Sequence, residues 1–220
     1  MKISFSSTQT KRLKKKTVIY DRITLTITPE VYDPHEDSEL LADAARGHAF
    51  GDFLDLGCGS GIVGISAWKS GKVKKVFFAD VSKKALSCAK ENALNNGLKK
   101  AEFIQTDLFS SLRRKFDCIA FNPPYLPTSE EEKVQGDLND AFDGGEDGRK
   151  TLDVFLAQFA KHLKPKGVLL LLNSSVSASG ELDGNSETRK ILEKKGFSVK
   201  VAGRKKFFFE ELVVFKASKI

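Results

Sequence analysis

The chain has 220 residues, 40% hydrophobic and 30% charged, enough apolar material for one compact domain with a full core. No apolar run approaches the ~20 residues that a membrane-spanning helix needs, and the basic start of the chain lacks the apolar stretch of a secretory signal. Formal net charge is +7 and the pI is about 9.2. Cys58, Cys88 and Cys118 form no Cys-x-x-Cys pair, and His35, His48 and His162 are scattered. Free thiols in a reducing cytosol are therefore expected, with no disulfide framework and no zinc cluster.

In chain order, residues 1–16 show no periodicity. Residues 17–20 and 23–27 read as a short hairpin, with Ile23, Leu25 and Ile27 on one face and Thr24 and Thr26 on the other. The acidic residues Asp33, Glu36, Asp37 and Glu39 precede an apolar stripe at 40–45. Carboxylates there suit a helix start, because they offset its positive end. A metal site is the less economical reading of the same cluster. Strands are expected at 52–56, 76–79, 101–105, 116–121 and 167–172, and helices at 62–68, 82–96, 149–163 and 186–195. Lys164-Pro165 should stop the third of these helices. Two last strands, 197–201 and 207–215, are joined by a basic turn. A polar loop rich in Glu, Asp and Gly fills 127–148.

Alternating strands and helices call for a parallel sheet with right-handed crossovers and helices on both faces. The short connection between the last two strands adds one antiparallel strand. The expected division is a basic N-terminal extension with the hairpin (1–30) and one α/β domain (31–220). Two basic runs, Lys11, Arg12, Lys14, Lys15 and Lys16, and Arg204, Lys205 and Lys206, suit an acidic or nucleic-acid-bound partner. They also suit simple solvation of a terminus and a turn.

Chemistry-bearing residues collect at successive strand tips, where open α/β sheets bind ligands. Gly57-Cys58-Gly59-Ser60-Gly61 joins a strand to a helix, and glycines there let backbone approach a ligand without Cβ interference. No Lys-Ser or Lys-Thr pair follows, so this is not a Walker loop. Asp80 ends the next strand and can accept both hydroxyls of a ribose. Asp107 can accept from an adenine amino group, beside the Leu108 backbone. Asn122-Pro123-Pro124-Tyr125 ends the fourth strand. Its prolines fix φ, lack N–H donors and force Asn122 out of the helical region. The result is a stiff loop presenting one amide, with an aromatic ring nearby, suited to gripping a planar group that carries NH2. Together these features indicate an adenosine ligand. A dinucleotide would leave the fourth tip unexplained.

The set Asp55-Leu-Gly-Cys-Gly-Ser-Gly61, Asp80, Asp107 and Asn122-Pro-Pro-Tyr125 resembles the class I S-adenosylmethionine-dependent methyltransferases, a Rossmann-like fold with a mostly parallel seven-stranded sheet. Asp143-Gly-Gly-Glu-Asp-Gly148 and Val31-Tyr-Asp-Pro-His-Glu-Asp-Ser38 are similar to segments of the compact eukaryotic and archaeal branch of the HemK family of protein-glutamine methyltransferases. The resemblance implies a cofactor site of Ser38, Asp55, Gly57, Gly59, Asp80, Asp107, Leu108 and Asn122. It implies S-adenosylmethionine as cofactor, with no metal. Family members often carry Thr where Ser38 stands, which keeps the hydroxyl.

The catalytic set would be Asn122, Pro123 and Tyr125. The Asn122 side-chain oxygen and the Pro123 carbonyl would accept the two N–H bonds of a substrate amide, with Tyr125 packed on its plane. Three readings remain open. The first is methylation of the glutamine in the Gly-Gly-Gln motif of a class-one peptide chain release factor. The second is methylation of an exocyclic amino group on adenine or guanine in RNA or DNA. Its difficulty is that the first 30 residues hardly suffice for target recognition. The third is a non-catalytic cofactor-binding module, against which the intact Asn122 and cofactor acids argue. The resemblance also implies a small zinc-binding activator protein, expected to dock on an open edge strand at 101–105, blunted here by Lys99 and Lys100.

Overall fold

The computed structural model describes residues 15–128 and 143–219. The polar loop expected at 127–148 therefore lies largely outside the described residues, as does most of the first basic run. Strands β1 (Lys16–Tyr20) and β2 (Ile23–Ile27) form the hairpin. Its turn residues, Asp21 and Arg22, have φ of 37° and 63°. Two positive φ values match the twist of the flanking strands. Arg46 pairs with Asp21, and Lys69 Nζ donates to the Arg22 carbonyl at 3.2 Å, so the turn is held from two helices.

Helix α1 (Glu36–His48) then leads into the main alternation: β3 (Gly51–Leu56), α2 (Ile62–Lys69), β4 (Val73–Asp80), α3 (Lys83–Asn95), β5 (Ala101–Gln105) and β6 (Phe116–Phe121). After the undescribed segment come α4 (Lys150–Gln158), a 3-10 turn (Phe159–His162), β7 (Leu163–Ser174), α5 (Gly184–Lys194), β8 (Phe197–Lys206) and β9 (Glu211–Lys219). The seven-stranded sheet runs β5-β4-β3-β6-β7-β9-β8. Among the described residues β9 is the reversed strand, antiparallel to both β7 and β8.

Both faces of the sheet are covered, so the central strands are continuously apolar, as buried parallel strands must be. Phe53, Val76, Phe78, Cys118, Ala120 and Leu170 join one core with the hairpin residues Ile23, Leu25 and Ile27 and with helices α1 to α3. Leu54, Phe77, Ile119, Leu169 and Leu171 face the opposite core with α4 and α5. The hairpin is further tied by two side chains one turn apart, Asn92 of α3 and Asn96 at its C-cap. Asn92 Oδ1 accepts from Thr26 N–H at 2.8 Å, and Asn92 Nδ2 donates to the Thr26 carbonyl at 3.2 Å. Asn96 makes the same pair with Thr24, at 3.1 and 2.8 Å. The two amides thus pair the open edge of β2 as a neighbouring strand would.

Three expectations from the sequence shift. The helix expected to run to residue 163 ends as α-helix at Gln158, and β7 begins at Leu163 instead of 167. Leu163 already pairs with Phe116, and the register then slips before Cys118 meets Val168. Pro165 sits in that slip, where its missing N–H costs no ladder bond. The basic turn is no turn: Arg204, Lys205 and Lys206 are paired strand residues opposite Val213, Leu212 and Glu211. The turn is Phe207 to Glu210, closed by the Phe207 N–H on the Glu210 carbonyl at 2.7 Å.

Candidate active site

The loop after β3 turns sharply. Gly57, Gly59 and Gly61 have φ of 63°, 49° and 83°, a region that L side chains avoid. A Cβ on Gly57 would stand 3.4 Å from the Phe121 ring, so the loop packs against the tip of β6. Asn92 Nδ2 donates to the Ser60 carbonyl at 2.9 Å, which ties this loop to the same side chain that holds the hairpin. Asp55 is buried and accepts from Gly64 N–H in the first turn of α2, at 2.8 Å. It satisfies a helix-end donor, while burial pushes its carboxyl well above the usual range.

Asp80, at the tip of β4, accepts from Gly59 N–H at 3.0 Å on one oxygen and from Ser82 N–H at 2.9 Å on the other. Two of about four lone-pair sites of the carboxylate are so engaged. Burial raises its pKa, against the lowering effect of the backbone donors. At the tip of β5, Asp107 is exposed and Leu108 has a φ of 46°. Such a φ is uncommon for a side chain of this kind. Asp107 and Thr106 hold the bend: the Asp107 carbonyl accepts from Ser110 N–H at 3.0 Å, and Thr106 Oγ1 accepts from Ser111 N–H at 3.0 Å.

At the tip of β6, Asn122 Nδ2 donates to Asp37 Oδ2 at 2.9 Å. Asp37 is 5% exposed and also accepts from the Tyr32 hydroxyl, at 3.1 Å to each oxygen, and from Ser38 N–H at 2.6 Å. Asp37 Oδ2 accepts this bond, so the Asn122 amide turns its nitrogen toward the carboxyl. That fixes the opposite end: Asn122 Oδ1 is buried and, among the described residues, has no hydrogen-bond partner. A buried acceptor without a donor is costly unless something fills it. Both neighbouring phenols, Tyr32 and Tyr125, are pushed up in pKa, first by burial and then by the Asp37 charge.

The Asp143-Gly-Gly-Glu-Asp-Gly148 segment braces this loop from behind. Gly144 N–H donates to the Leu126 carbonyl at 3.0 Å, and Thr128 N–H to the Gly145 carbonyl at 2.9 Å. Gly148 has a φ of 72°, and a Cβ there would lie 2.3 Å from the Tyr125 carbonyl oxygen. Arg149 is fully buried behind it, donating to the Ser177 carbonyl and Thr188 Oγ1, each at 3.1 Å, and to Asp153 at 2.8 Å.

One cavity of about 890 Å³ is lined by Ser38, Asp55, Gly57, Gly59, Asp80, Asp107, Leu108, Asn122, Pro123 and Tyr125, which are all the residues of the expected cofactor and catalytic sets. Cys58 lines it too, and burial raises the pKa of its thiol well above normal. Among the described residues no group of three or more His, Cys, Asp or Glu could hold a metal ion. The residues missed were Tyr32 and Asp37. Asp37 was read as one of several helix-start acids. The available signal was its place in the stripe Asp37, Leu41 and Ala45, one apolar face at four-residue spacing, where a carboxylate must find partners.

A family model described as "Methyltransferase small domain" matches residues 32–200. The chain is 44% identical over 195 residues to a Methanocaldococcus jannaschii protein provisionally named a protein N5-glutamine methyltransferase, covering 89% of this chain and 95% of that one. It is 32% identical over 158 residues to the release factor glutamine methyltransferase of Gloeobacter violaceus, covering 67% of this chain and 55% of that one, so it spans about half the length of this bacterial relative. Among solved structures, the E. cuniculi Mtq2–Trm112 complex responsible for methylation of the eRF1 translation termination factor superposes with a TM-score of 0.64. Its identity is 23%, over 87% of this chain and 99% of that one, a likeness of fold.

Proposed function

The chain belongs to the methyltransferase small-domain family, in its HemK-like glutamine-methylating branch, and on that footing we propose that it methylates the side-chain amide nitrogen of the glutamine in the Gly-Gly-Gln motif of a class-one peptide chain release factor. The observation that carries the reading is the buried, partnerless Asn122 Oδ1, held in place through Asp37. An acceptor fixed this way fits a substrate that brings an N–H.

The fold is that of an S-adenosylmethionine-binding class I methyltransferase. The residues present fit that cofactor: the cavity is roomy, Asp80 keeps unused lone pairs, and Gly59 faces open space where a side chain would otherwise stand. Asp80 would hold the ribose hydroxyls. Asp107 and the Leu108 backbone would meet the adenine edge. Ser38, Asp55, Gly57 and Gly59 would complete the wall, with Asn122 between cofactor and substrate. When bound, the cofactor supplies an electrophilic methyl on a sulfonium.

A glutamine amide nitrogen is a poor nucleophile, because its lone pair is delocalised into the carbonyl. Asn122 Oδ1 and the Pro123 carbonyl would each accept one of its N–H bonds. This aims the lone pair and favours pyramidalisation as the nitrogen attacks. Tyr125 would pack on the amide plane and exclude water. The chain's contribution is alignment, which reaches ~7–11 kcal/mol in well-oriented systems. No side-chain nucleophile is required.

A small zinc-binding activator on β5 belongs to the same proposal. In its support, β5 ends the sheet, and Phe103 and Ile104 are half-buried on opposite faces of it. The setting would be the cytoplasm, where release factors act. Among the described residues, no helix is long and apolar enough to cross a membrane. The test is incubation with labelled S-adenosylmethionine and a cell extract, followed by protease or nuclease. Release of label by protease is expected; release by nuclease would transfer the reading to nucleic acid.

A further inference from the structure

The turn between β8 and β9 carries side chains that the proposed reaction does not use. Phe208 is 91% exposed and Phe209 86% exposed, with Phe207 partly exposed beside them. The two outer rings meet edge to face, with centroids 4.5 Å apart and planes at 89°. They form one protruding apolar knob. Surfaces rarely offer large aromatic rings to water without a partner.

The knob is anchored beside the candidate active site. Glu210 accepts from Ser174 Oγ, at the end of β7, at 2.5 Å. Glu211 N–H donates to Ser175 Oγ at 2.9 Å. Lys205 Nζ lies 3.9 Å from Glu36, the residue before Asp37. The Glu210 charge contributes to the raised pKa of Tyr125, after burial and Asp37. The turn therefore stands at the C-terminal end of the parallel strands, the same end at which Asn122 and Tyr125 follow β6. Arg204, Lys205 and Lys206 lead up to it along β8.

We propose that Phe208 and Phe209 dock the protein substrate next to its reacting glutamine, inserting into an apolar cleft rimmed by carboxylates. This rests on the reading above of a protein substrate. A single glutamine side chain offers little to distinguish one protein from another, so selection needs contact outside the cavity. Exposed aromatic anchors supply such contact, and Lys206, next to them at the end of β8, complements an acidic group on the rim of the cleft. A nucleic-acid partner fits less well. Glu36, Glu210 and Glu211 interleave with the cations and would repel a phosphate backbone. Two perpendicular rings in mutual contact also give up part of the flat faces on which bases stack.

The test compares wild type with the double variant Phe208→Ser/Phe209→Ser, both rings being exposed enough that folding should survive. Methyl transfer is measured to an intact class-one release factor and to a short Gly-Gly-Gln peptide, with S-adenosylhomocysteine thermal shifts alongside. For the intact factor, KM should rise about tenfold or more, the scale of an interface anchor, with kcat nearly unchanged. KM for the peptide and the thermal shift should stay as in wild type. Phe208→Trp should retain docking, and Lys206→Glu should weaken it. An unchanged KM for the intact factor, with wild type active, overturns the docking knob and leaves the proposed reaction standing. An equal rise for the peptide also overturns it, because the turn would then act on the site itself. Loss of binding to a fluorescent single-stranded RNA in the double variant, with the factor's KM unmoved, would assign the knob to nucleic acid. A wild type inactive on both protein and peptide would sink the glutamine reading and the substrate knob with it.

Discussion

Asp37 accepts a hydrogen bond from Asn122 Nδ2 at 2.9 Å, joining the first turn of α1 to the tip of β6 across 85 residues of chain. The bond sets which end of the Asn122 amide faces the cavity. Asp37→Asn would keep the volume and remove that instruction, since an amide can both donate and accept. We expect kcat to fall by the equivalent of a charge-assisted bond, ~1.5–3 kcal/mol. S-adenosylhomocysteine affinity should stay within about threefold, because Asp37 acts here through Asn122. Stopped-assay kinetics with calorimetry on the same preparation separates the two. An unchanged kcat would mean that the amide is oriented by something else.

Asp80 yields a prediction with a sign. Burial raises its folded pKa above the ordinary 3.8. In the free protein, ionising this group therefore opposes folding as pH climbs between 3.8 and the raised value. The ionised form is the one that can accept ribose hydroxyls. S-adenosylhomocysteine affinity should thus weaken on acidification beginning above the usual carboxylate range. Asp80→Asn should remove that acid limb, and Asp80→Ala should cost ~1.5–3 kcal/mol per charge-assisted bond lost. Calorimetry across a pH series reads both. An acid limb that persists in Asp80→Asn would assign it to another group.

Asn92 links three backbone groups: Thr26 N–H, the Thr26 carbonyl and the Ser60 carbonyl. It is fully buried. Asn92→Ala leaves the Thr26 N–H and the Ser60 carbonyl without this partner, while the Thr26 carbonyl keeps the Cys88 thiol, and should destabilise by ~1–3 kcal/mol per buried group left unsatisfied. Asn96→Ala, whose bonds to Thr24 are exposed, should cost less. Urea unfolding of both variants tests the ranking. Equal, small losses would mean that the hairpin is held by Ile23, Leu25 and Ile27 without help from the amides.

Much of the sheet was legible because period and punctuation agree there. Runs such as 116–121 are apolar, strand-length and bounded by turn residues, and the acids and glycines of the cavity all follow such runs. What escaped depends on pairing at a distance. The run Phe207-Phe208-Phe209 has strand-like composition, yet Lys206 pairs with Glu211 and leaves those rings in the turn. Pro165 looks like a stop, but a register slip gives it a place at the start of β7. Asp37 looks like a helix-start acid, and its sequence neighbours give no hint of Asn122. Local composition shows which residues want burial or water. It does not show which backbone N–H or which carboxylate will meet which partner.

The central claim is that the tip of β6 presents Asn122 Oδ1 to a glutamine amide. The most direct measurement is tandem mass spectrometry of a purified class-one release factor after incubation with S-adenosylmethionine and either wild type or Asn122→Ala, with S-adenosylhomocysteine affinity measured for both. The account predicts one added methyl on the side chain of the Gly-Gly-Gln glutamine with wild type, none with Asn122→Ala, and cofactor affinities within a few fold of each other. Methylation that persists in Asn122→Ala, or a loss of cofactor affinity in that variant as severe as in Asp80→Ala, would contradict it.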